Sequence, residues 1–336
     1  MKQKYYWLYT LVFLLINGGG IQKANAQEWA VPEGLERTFL GGLCIGNDSL
    51  RASYLVGTYY SFASRAFKGL GNYEASKNFS DYRRQGLWLR ADYRLGHNLN
   101  LGLTIPYYIS SIKLSNNPTK TFFQRGVSEI RMRAGYDIHR GRVAFFAGLS
   151  AGLPVQEGRI SLTSPEIPLG NDAYWNLGCE AGISWFSKKE FGFLLHSSLN
   201  LRIAQSGYIV WSDTLRSLLG EPYSSIQATI NRRDYFTTTA SFRIPWEDYV
   251  IVAGYNFYYE WPDYADNIAP ELTPEMLAWV KQVMGQRATL HGISAGVMTS
   301  WGPFQAGLIG KAYFAGRGGI AENSVSLMVR YLFNSQ

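Results

Sequence analysis

The chain has 336 residues, 46% of them hydrophobic, 15% aromatic and only 17% charged, with 35 glycines and two cysteines. Its formal charge is +7, but Lys2, Lys4 and Lys23 lie in the first 26 residues, which hold no acid, so the remainder carries +4. That balance is too mild to call for a nucleic-acid partner, and the widely separated Cys44 and Cys179 make neither a disulfide framework nor a metal pattern.

The first 26 residues read as a secretory signal peptide. Lys2 and Lys4 precede the apolar run YYWLYTLVFLLI, and Ala24-Asn25-Ala26 supplies a small-residue cleavage box, so cleavage is expected after Ala26. The run is short for a spanning helix, which needs about 20 apolar residues; a membrane anchor is the alternative. Residues 27–48 contain PEGLERTFLGGLC, where Pro32 opens a helical turn and Gly41-Gly42 ends it. This segment is expected either to plug a lumen or to trail as a periplasmic tail.

From residue 49 onward apolar and polar residues alternate in recurring segments. Twelve segments carry it: 49–64, 86–96, 99–113, 127–139, 142–155, 172–187, 190–205, 233–245, 249–262, 287–301, 304–316 and 322–334. A tilted membrane-spanning strand needs about 9–11 residues. The connections alternate in length. Short polar turns at 97–98, 139–141, 187–189, 245–248 and 302–303 are interleaved with longer links at 65–85, 114–126, 156–171, 206–232 and 263–286, and a briefer one at 317–321. Outer-membrane barrels place short turns in the periplasm and long loops outside, on an even number of strands. The expected fold is therefore an all-β, antiparallel transmembrane barrel of about twelve strands over residues 49–336, in the cell outer membrane.

A closed sheet in lipid turns one face to hydrocarbon and the other to the lumen. Ile130, Met132, Ala134, Tyr136 and Ile138 are then expected outside, as are Leu87, Leu89, Tyr93 and Leu95. Arg90, Asp92, Arg94, Glu129, Arg131, Arg133, Asp137, Glu180, Arg202, Arg243, Lys311 and Arg330 are expected to line the pore. A one-residue slip would exchange the two sets, and a lipid-facing Arg near the midplane costs about 2–4 kcal/mol, which fixes the register. Segment 287–301 alternates less regularly and suggests a bulge. Trp175, Trp185, Trp246, Tyr249, Trp261 and Trp301 would form interfacial girdles. The last segment alternates Val325, Leu327, Val329, Tyr331 and Phe333, an aromatic ending suited to the barrel assembly machinery. In link 263–286, Thr273-Pro274-Glu275 reads as a helix start.

Eight inward cations against four acids allow two readings: a structural network of ion pairs, or a pore whose field favours anions. An enzyme is a third. His196, Ser198 and Asn200 project from one face of one segment, and the His-x-Ser spacing resembles that of outer-membrane phospholipase A. That family works on the lipid side, however, and here Leu195, Leu199 and Leu201 occupy that side. His97 and His139 fall in turns and His291 stands alone. No CxxC, HExxH, P-loop or GxSxG pattern appears, so no cofactor or metal is expected.

Three stretches resemble the phenol-degradation meta-pathway family of outer-membrane β-barrel transporters. They are Gly126-Val127-Ser128-Glu129 with Ala134-Gly135-Tyr136, then Gly148-Leu149-Ser150-Ala151-Gly152-Leu153-Pro154, then Ile167-Pro168-Leu169-Gly170-Asn171-Asp172-Ala173-Tyr174-Trp175. The match lies mainly in 126–187. Gln156-Glu157 and Ala173 depart from the family pattern. The resemblance implies a barrel that passes small solutes, hydrophobic or aromatic. The expected partners are outer-membrane lipid, the assembly machinery and such a solute. A closed structural barrel that displays its loops is the remaining alternative.

Overall fold

The computed structural model describes residues 50–334 apart from 64, 70–71, 76–78, 96–97, 115–120, 128, 156–158, 162–174, 188–190, 204, 211–221, 224, 232–233, 263, 270, 285–287 and 318–321. The signal-peptide and plug readings, Cys44, His97 and the motif at 167–174 lie outside the described residues.

The described chain is almost all strand. In order come β1 (Leu50–Ala63), β2 (Arg65–Gly69), β3 (Asn72–Ala75), β4 (Phe79–Leu95), β5 (Leu99–Leu114), β6 (Thr121–Val127), β7 (Glu129–Arg140), β8 (Val143–Pro154), β9 (Arg159–Ser161) and β10 (Asn176–Phe186). Then follow β11 (Gly192–Arg202), β12 (Gln205–Val210), β13 (Ser225–Asn231), β14 (Tyr235–Trp246), β15 (Tyr249–Glu260), β16 (Tyr264–Ala269), helix α1 (Pro274–Met284), β17 (Ala288–Trp301), β18 (Phe304–Arg317) and β19 (Asn323–Asn334).

One sheet closes on itself. β1 pairs with β19 on one side and β4 on the other, so that Leu55 faces Arg330 and Arg90 across the two seams. The ring continues through β18, β17, β15, β14, β11, β10, β8, β7 and β5, and β5 returns to β4. β6 and β7 both pair with β5 and make one wall strand broken at residue 128. The result is a closed barrel of twelve antiparallel strands. Closure leaves no edge, which a sheet in hydrocarbon requires because nothing there can pair a free N–H or C=O. No described helix is long and apolar enough to cross a membrane.

The turns obey local chemistry. Gly141 and Gly302 take φ values of 63° and 56°, in the left-handed region that glycine enters freely. All the short turns lie at one end and all the long links at the other, as their lengths predict. The bulge expected in 287–301 is present: between His291 and Gly292 the register with β18 shifts.

The long links hold more structure than their sequence suggests. β9, β12, β13 and β16 form a separate four-stranded sheet, and β2 pairs with β3. β4 begins at Phe79 rather than near 86, and the wall strand expected at 127 begins at Thr121 as β6. α1 starts where the sequence places it: the Thr273 hydroxyl accepts from the Met276 N–H at 3.4 Å and the Thr273 carbonyl from the Leu277 N–H at 2.9 Å.

The alternation sorts as the register argument requires. Leu87, Leu89, Tyr93 and Leu95 are exposed on the outer wall, while Tyr82, Arg84, Trp88, Arg90 and Arg94 of the same strand are buried. Cys179 is a free thiol on the outer face. Trp301 stacks on Phe304 with centroids 6.1 Å apart, and Phe304 meets Tyr331 at 5.1 Å, forming a girdle at the short-turn rim.

The inner wall shows a second regularity. Inward glycines stand opposite large inward side chains, which lie over them. Trp88 faces Gly57, Tyr59 faces Gly86, and a Cβ on either glycine would strike the opposing ring. Phe146 covers Gly182 and Tyr313 covers Gly292 in the same way. Missing side chains on one strand thus seat bulky ones from the next.

Leu89 lies six residues from the Leu95 end of β4, roughly 15 Å up the wall at about 3.3 Å per residue and a tilt near 40°. Leu89→Arg is expected to cost about 2–4 kcal/mol in reversible urea folding into lipid vesicles. Gly86→Leu is expected to stop the barrel from forming, read as loss of heat-modifiable migration on a gel. Folding of Leu89→Arg at wild-type stability would contradict the outward placement.

Candidate channel lining

All twelve sequence-predicted lining residues lie on inward positions of their strands. Several of them meet polar partners on the wall formed by β4, β5, β7, β10 and β11, with Tyr235 of β14 at its edge. Arg90 donates to Asp92 through Nε at 2.9 and 3.0 Å and through Nη2 at 2.9 Å. Asn100 donates to Asp137. Arg131 pairs with Glu129, and its Nη2 lies 3.4 Å from the Tyr235 hydroxyl. Arg133 pairs with Glu180, whose other oxygen sits 3.2 Å from His196 Nε2. These contacts follow from strand geometry: Arg90–Asp92 and Arg131–Glu129 join residues two apart on one face, Asn100–Asp137 and His196–Glu180 are diagonal neighbours on paired strands, and Arg133 reaches Glu180 across β8.

The acids are held flat by the glycine pattern. Glu180 lies over Gly148, Glu129 over Gly152 and Asp92 over Gly102, each where a Cβ on the glycine would clash with the carboxylate. The carboxylates therefore run along the wall. Gly148 and Gly152, both in the stretch that resembles the transporter family, make two of these seats.

The remaining predicted cations are dispersed. Arg330 donates to the Ser53 hydroxyl at 2.9 Å. The Arg202 guanidinium lies 5.3 Å from the Tyr235 ring centre, that of Arg243 6.0 Å from the Phe186 ring, and Lys311 Nζ 4.4 Å from the Tyr313 ring. Arg94 is 9% exposed at the far end of β4. The eight cations do not form one cationic ring.

The candidate catalytic residues are adjacent but not linked as a relay. His196 is fully buried, stacked on Phe146 at 5.4 Å with its Nε2 toward Glu180. The Ser198 hydroxyl meets Thr237 Oγ1 at 2.8 Å, and Asn200 Nδ2 donates to Ser198 at 3.4 Å. Among the described residues the partner of His196 is Glu180 and not Ser198. A base must reach the nucleophile it activates, and here each is engaged elsewhere, away from the lipid side.

The sequence reading missed the apolar part of the inner wall. Leu55, Tyr59, Trp88, Tyr108, Val252, Met298, Ile309 and Met328 form one buried apolar cluster on the inner wall, spanning β15, β17, β18, β19, β1, β4 and β5. Tyr235, Tyr258, Leu290 and Tyr313 form a second, closer to the long-link end. Their signal was present as inward positions of apolar type, but a rule that sorts apolar residues outward cannot find them. Arg84, fully buried with its guanidinium 3.8 Å from the Tyr108 ring centre, was missed because β4 starts earlier than its pattern indicates. A neutral network was missed too: Thr239 donates to Asn256 at 3.2 Å, and Asn256 to Ser294 at 3.1 Å.

Removing one partner of a buried pair costs about 3–5 kcal/mol, because the other charge stays buried. Glu180→Gln should destabilise the barrel by about 3 kcal/mol in the same vesicle-folding measurement. Adding Arg133→Gln should recover part of that loss. A single-mutant cost no larger than that of the pair would show that the contact is not coupled.

No protein-family model matches this sequence, and no curated protein matches it either. Solved structures do resemble it in shape. The COG4313 outer membrane channel from Pseudomonas putida F1 aligns with a TM-score of 0.61 at 11% identity, covering 93% of this chain and all of that one. The NanC porin aligns at 0.43 and 10% identity, covering 83% of this chain and 98% of that one. The CymD monoaromatic hydrocarbon channel aligns at 0.39 and 11%, covering 93% and 95%. The first of these shows that the whole barrel fold is shared.

Proposed function

We propose that this barrel is an outer-membrane channel or transporter for a small hydrophobic or aromatic solute. The observation that carries the reading is the two-sided lumen. One side is a run of ion pairs and hydrogen bonds. The other carries two apolar clusters, Tyr235, Tyr258, Leu290 and Tyr313 toward the long links and Trp88, Tyr108 and Met298 further in, separated on β15 and β17 by Asn256 and Ser294. A barrel whose lumen served only as a salt-bridged filler has no need of the second side. These side chains are buried against one another in the lumen, so a passing solute must part them, and a planar one then gains aromatic faces to stack on, each worth about 0.5–1.5 kcal/mol beyond its buried area.

The resemblance to the phenol-degradation meta-pathway family supports the same reading, as does a fold shared with an outer membrane channel. Export past a cleaved signal peptide and insertion by the barrel assembly machinery complete the proposal. The pairing of Arg131 and Arg133 with acids makes the ionic wall a positioning surface rather than an anion filter, and the solute travels along the opposite side.

Planar-bilayer recording tests this. Purified protein should conduct, and benzyl alcohol on one side should interrupt the current while sorbitol at equal concentration does not. In Trp88→Ala the interruptions should shorten roughly 2- to 10-fold, the equivalent of one aromatic contact. Reversing Arg131 and Arg133 to Glu should change ion selectivity less than it changes stability. Zero conductance after clean reconstitution would favour a closed barrel that displays its outer sheet. Ester hydrolysis abolished by Ser198→Ala would favour the lipid hydrolase.

A further inference from the structure

The outer wall carries one polar site that the lumen does not explain. His291 lies on the outer wall, between inward Leu290 and Gly292, at the bulge where β17 changes register with β18. Its Nδ1 is 2.6 Å from the Tyr255 hydroxyl, and its ring lies 5.3 Å from Phe257. When Tyr255 donates to Nδ1, the proton of the imidazole is on Nε2. Among the described residues that nitrogen has no partner, so an N–H donor faces away from the wall.

The depth of this site is informative. His291 stands ten residues up β17 from Trp301, which belongs to the girdle at the short-turn rim. At about 3.3 Å per residue and a tilt near 40°, that is roughly 25 Å, the full height of the apolar band. His291 is therefore at head-group level on the long-link side. Tyr259, in register with Thr289 one row higher, and Trp261 beyond it mark this end of the wall, packed edge to face at 4.8 Å. One row higher, Arg317 pairs in register with Thr289 and is exposed, with no ion-pair partner among the described residues. It is the diagonal neighbour of His291, about 7–8 Å away between backbones and within reach of a long side chain.

Two other polar pairs on the outer wall are satisfied internally, one of them Arg83 with Asp81 at 2.9 Å. Ser197 and Thr238 meet each other at 2.9 Å and are mutually satisfied. His291 and Arg317 instead offer two donors outward, at the depth where lipid phosphates lie. Basic side chains at that level hold anionic head groups, and aromatic girdles fix the depth of the lipid beside them.

We propose that His291, oriented by Tyr255, and Arg317 form a binding site on the outer wall for a phosphate of the outer-leaflet glycolipid. The bulge matters because it places both Phe314 and Ala315 in the span opposite His291, leaving a small residue directly across from the ring. Ala315 is small beside the imidazole, and Arg317 stands on the same face one row higher. This inference rests on the barrel's orientation and not on what passes through the lumen.

Native mass spectrometry of the full chain in non-ionic detergent tests it, with three probes: diphosphorylated lipid A, its dephosphorylated analogue and phosphatidylglycerol. The wild type should retain one lipid A at a concentration where neither other probe stays bound. R317A and H291F should each weaken retention about fivefold, the effect of one surface charge or donor, and together they should abolish it. Arg140→Ala, at the opposite rim, should change nothing. Heat-modifiable migration confirms that each variant is folded. Should H291F fail that check, Y255F, which frees the imidazole without removing it, should still weaken retention. Wild-type retention by the folded double variant would overturn the site. So would equal binding of the dephosphorylated lipid or of phosphatidylglycerol.

Discussion

In hydrocarbon no water can take up a free backbone N–H or C=O, so every one must find its partner inside the protein. For a chain of strands that constraint has one solution, the closed ring. Once β1 joins β19 and β4 joins β5, the parity of each residue decides whether it meets lipid or lumen. Arg131 is inward because Met132 is outward, and neither can change without the other. Local details serve this closure. The left-handed glycines at 141 and 302 turn the chain back within two residues, so neighbouring strands stay in register from the first pair.

Closure at twelve strands also fixes how much side chain the interior must hold. Such a lumen lies between the filled eight-stranded barrels and the open sixteen-stranded porins. Here the inner wall resolves the crowding pair by pair. A glycine on one strand receives a tryptophan, tyrosine, phenylalanine or glutamate from the next. The wide side chains then lie against the wall. This arrangement accounts for many of the 35 glycines in a way that turn chemistry alone does not. It also makes the ionic wall rigid, since Glu180 is confined by Gly148 beneath it and by Arg133 and His196 beside it.

The parts of the fold that lipid dictates were legible in the sequence. Strand number, the sorting of short and long connections, the outward and inward sets of β4, β7, β10 and β11, the bulge before Gly292 and the start of α1 all follow from alternation and turn residues. Beyond the bilayer only the start of α1 was legible. β9, β12, β13 and β16 are three to seven residues long and pair with one another in water, where no depth rule sorts their faces. Within the lumen the charges were legible and the apolar clusters were not. Leu55, Val252 and Met298 sit on strands whose two faces are both apolar, and alternation vanishes when both faces are greasy. His291 looked isolated because Tyr255, its partner, is 36 residues away in sequence and reaches it only through the β15–β17 pairing.

The contrast between the two sides of the lumen bears on how a net charge should be read. An excess of inward cations, taken from sequence, describes an anion-attracting field. In the folded barrel Arg90, Arg131 and Arg133 each lie against a carboxylate. Paired charges at contact distance have short-ranged fields, so their influence on a solute a few ångströms away is that of a dipole rather than a monopole. Arg84, Arg202, Arg243 and Lys311 in turn lie near aromatic faces, where the ring quadrupole absorbs part of their attraction. The same contacts place cations on the border between the ionic side and the aromatic one. On the proposed function, a solute that parts these rings meets aromatic faces bordered by charge, an environment that suits flat, weakly polar molecules better than small, strongly charged ones.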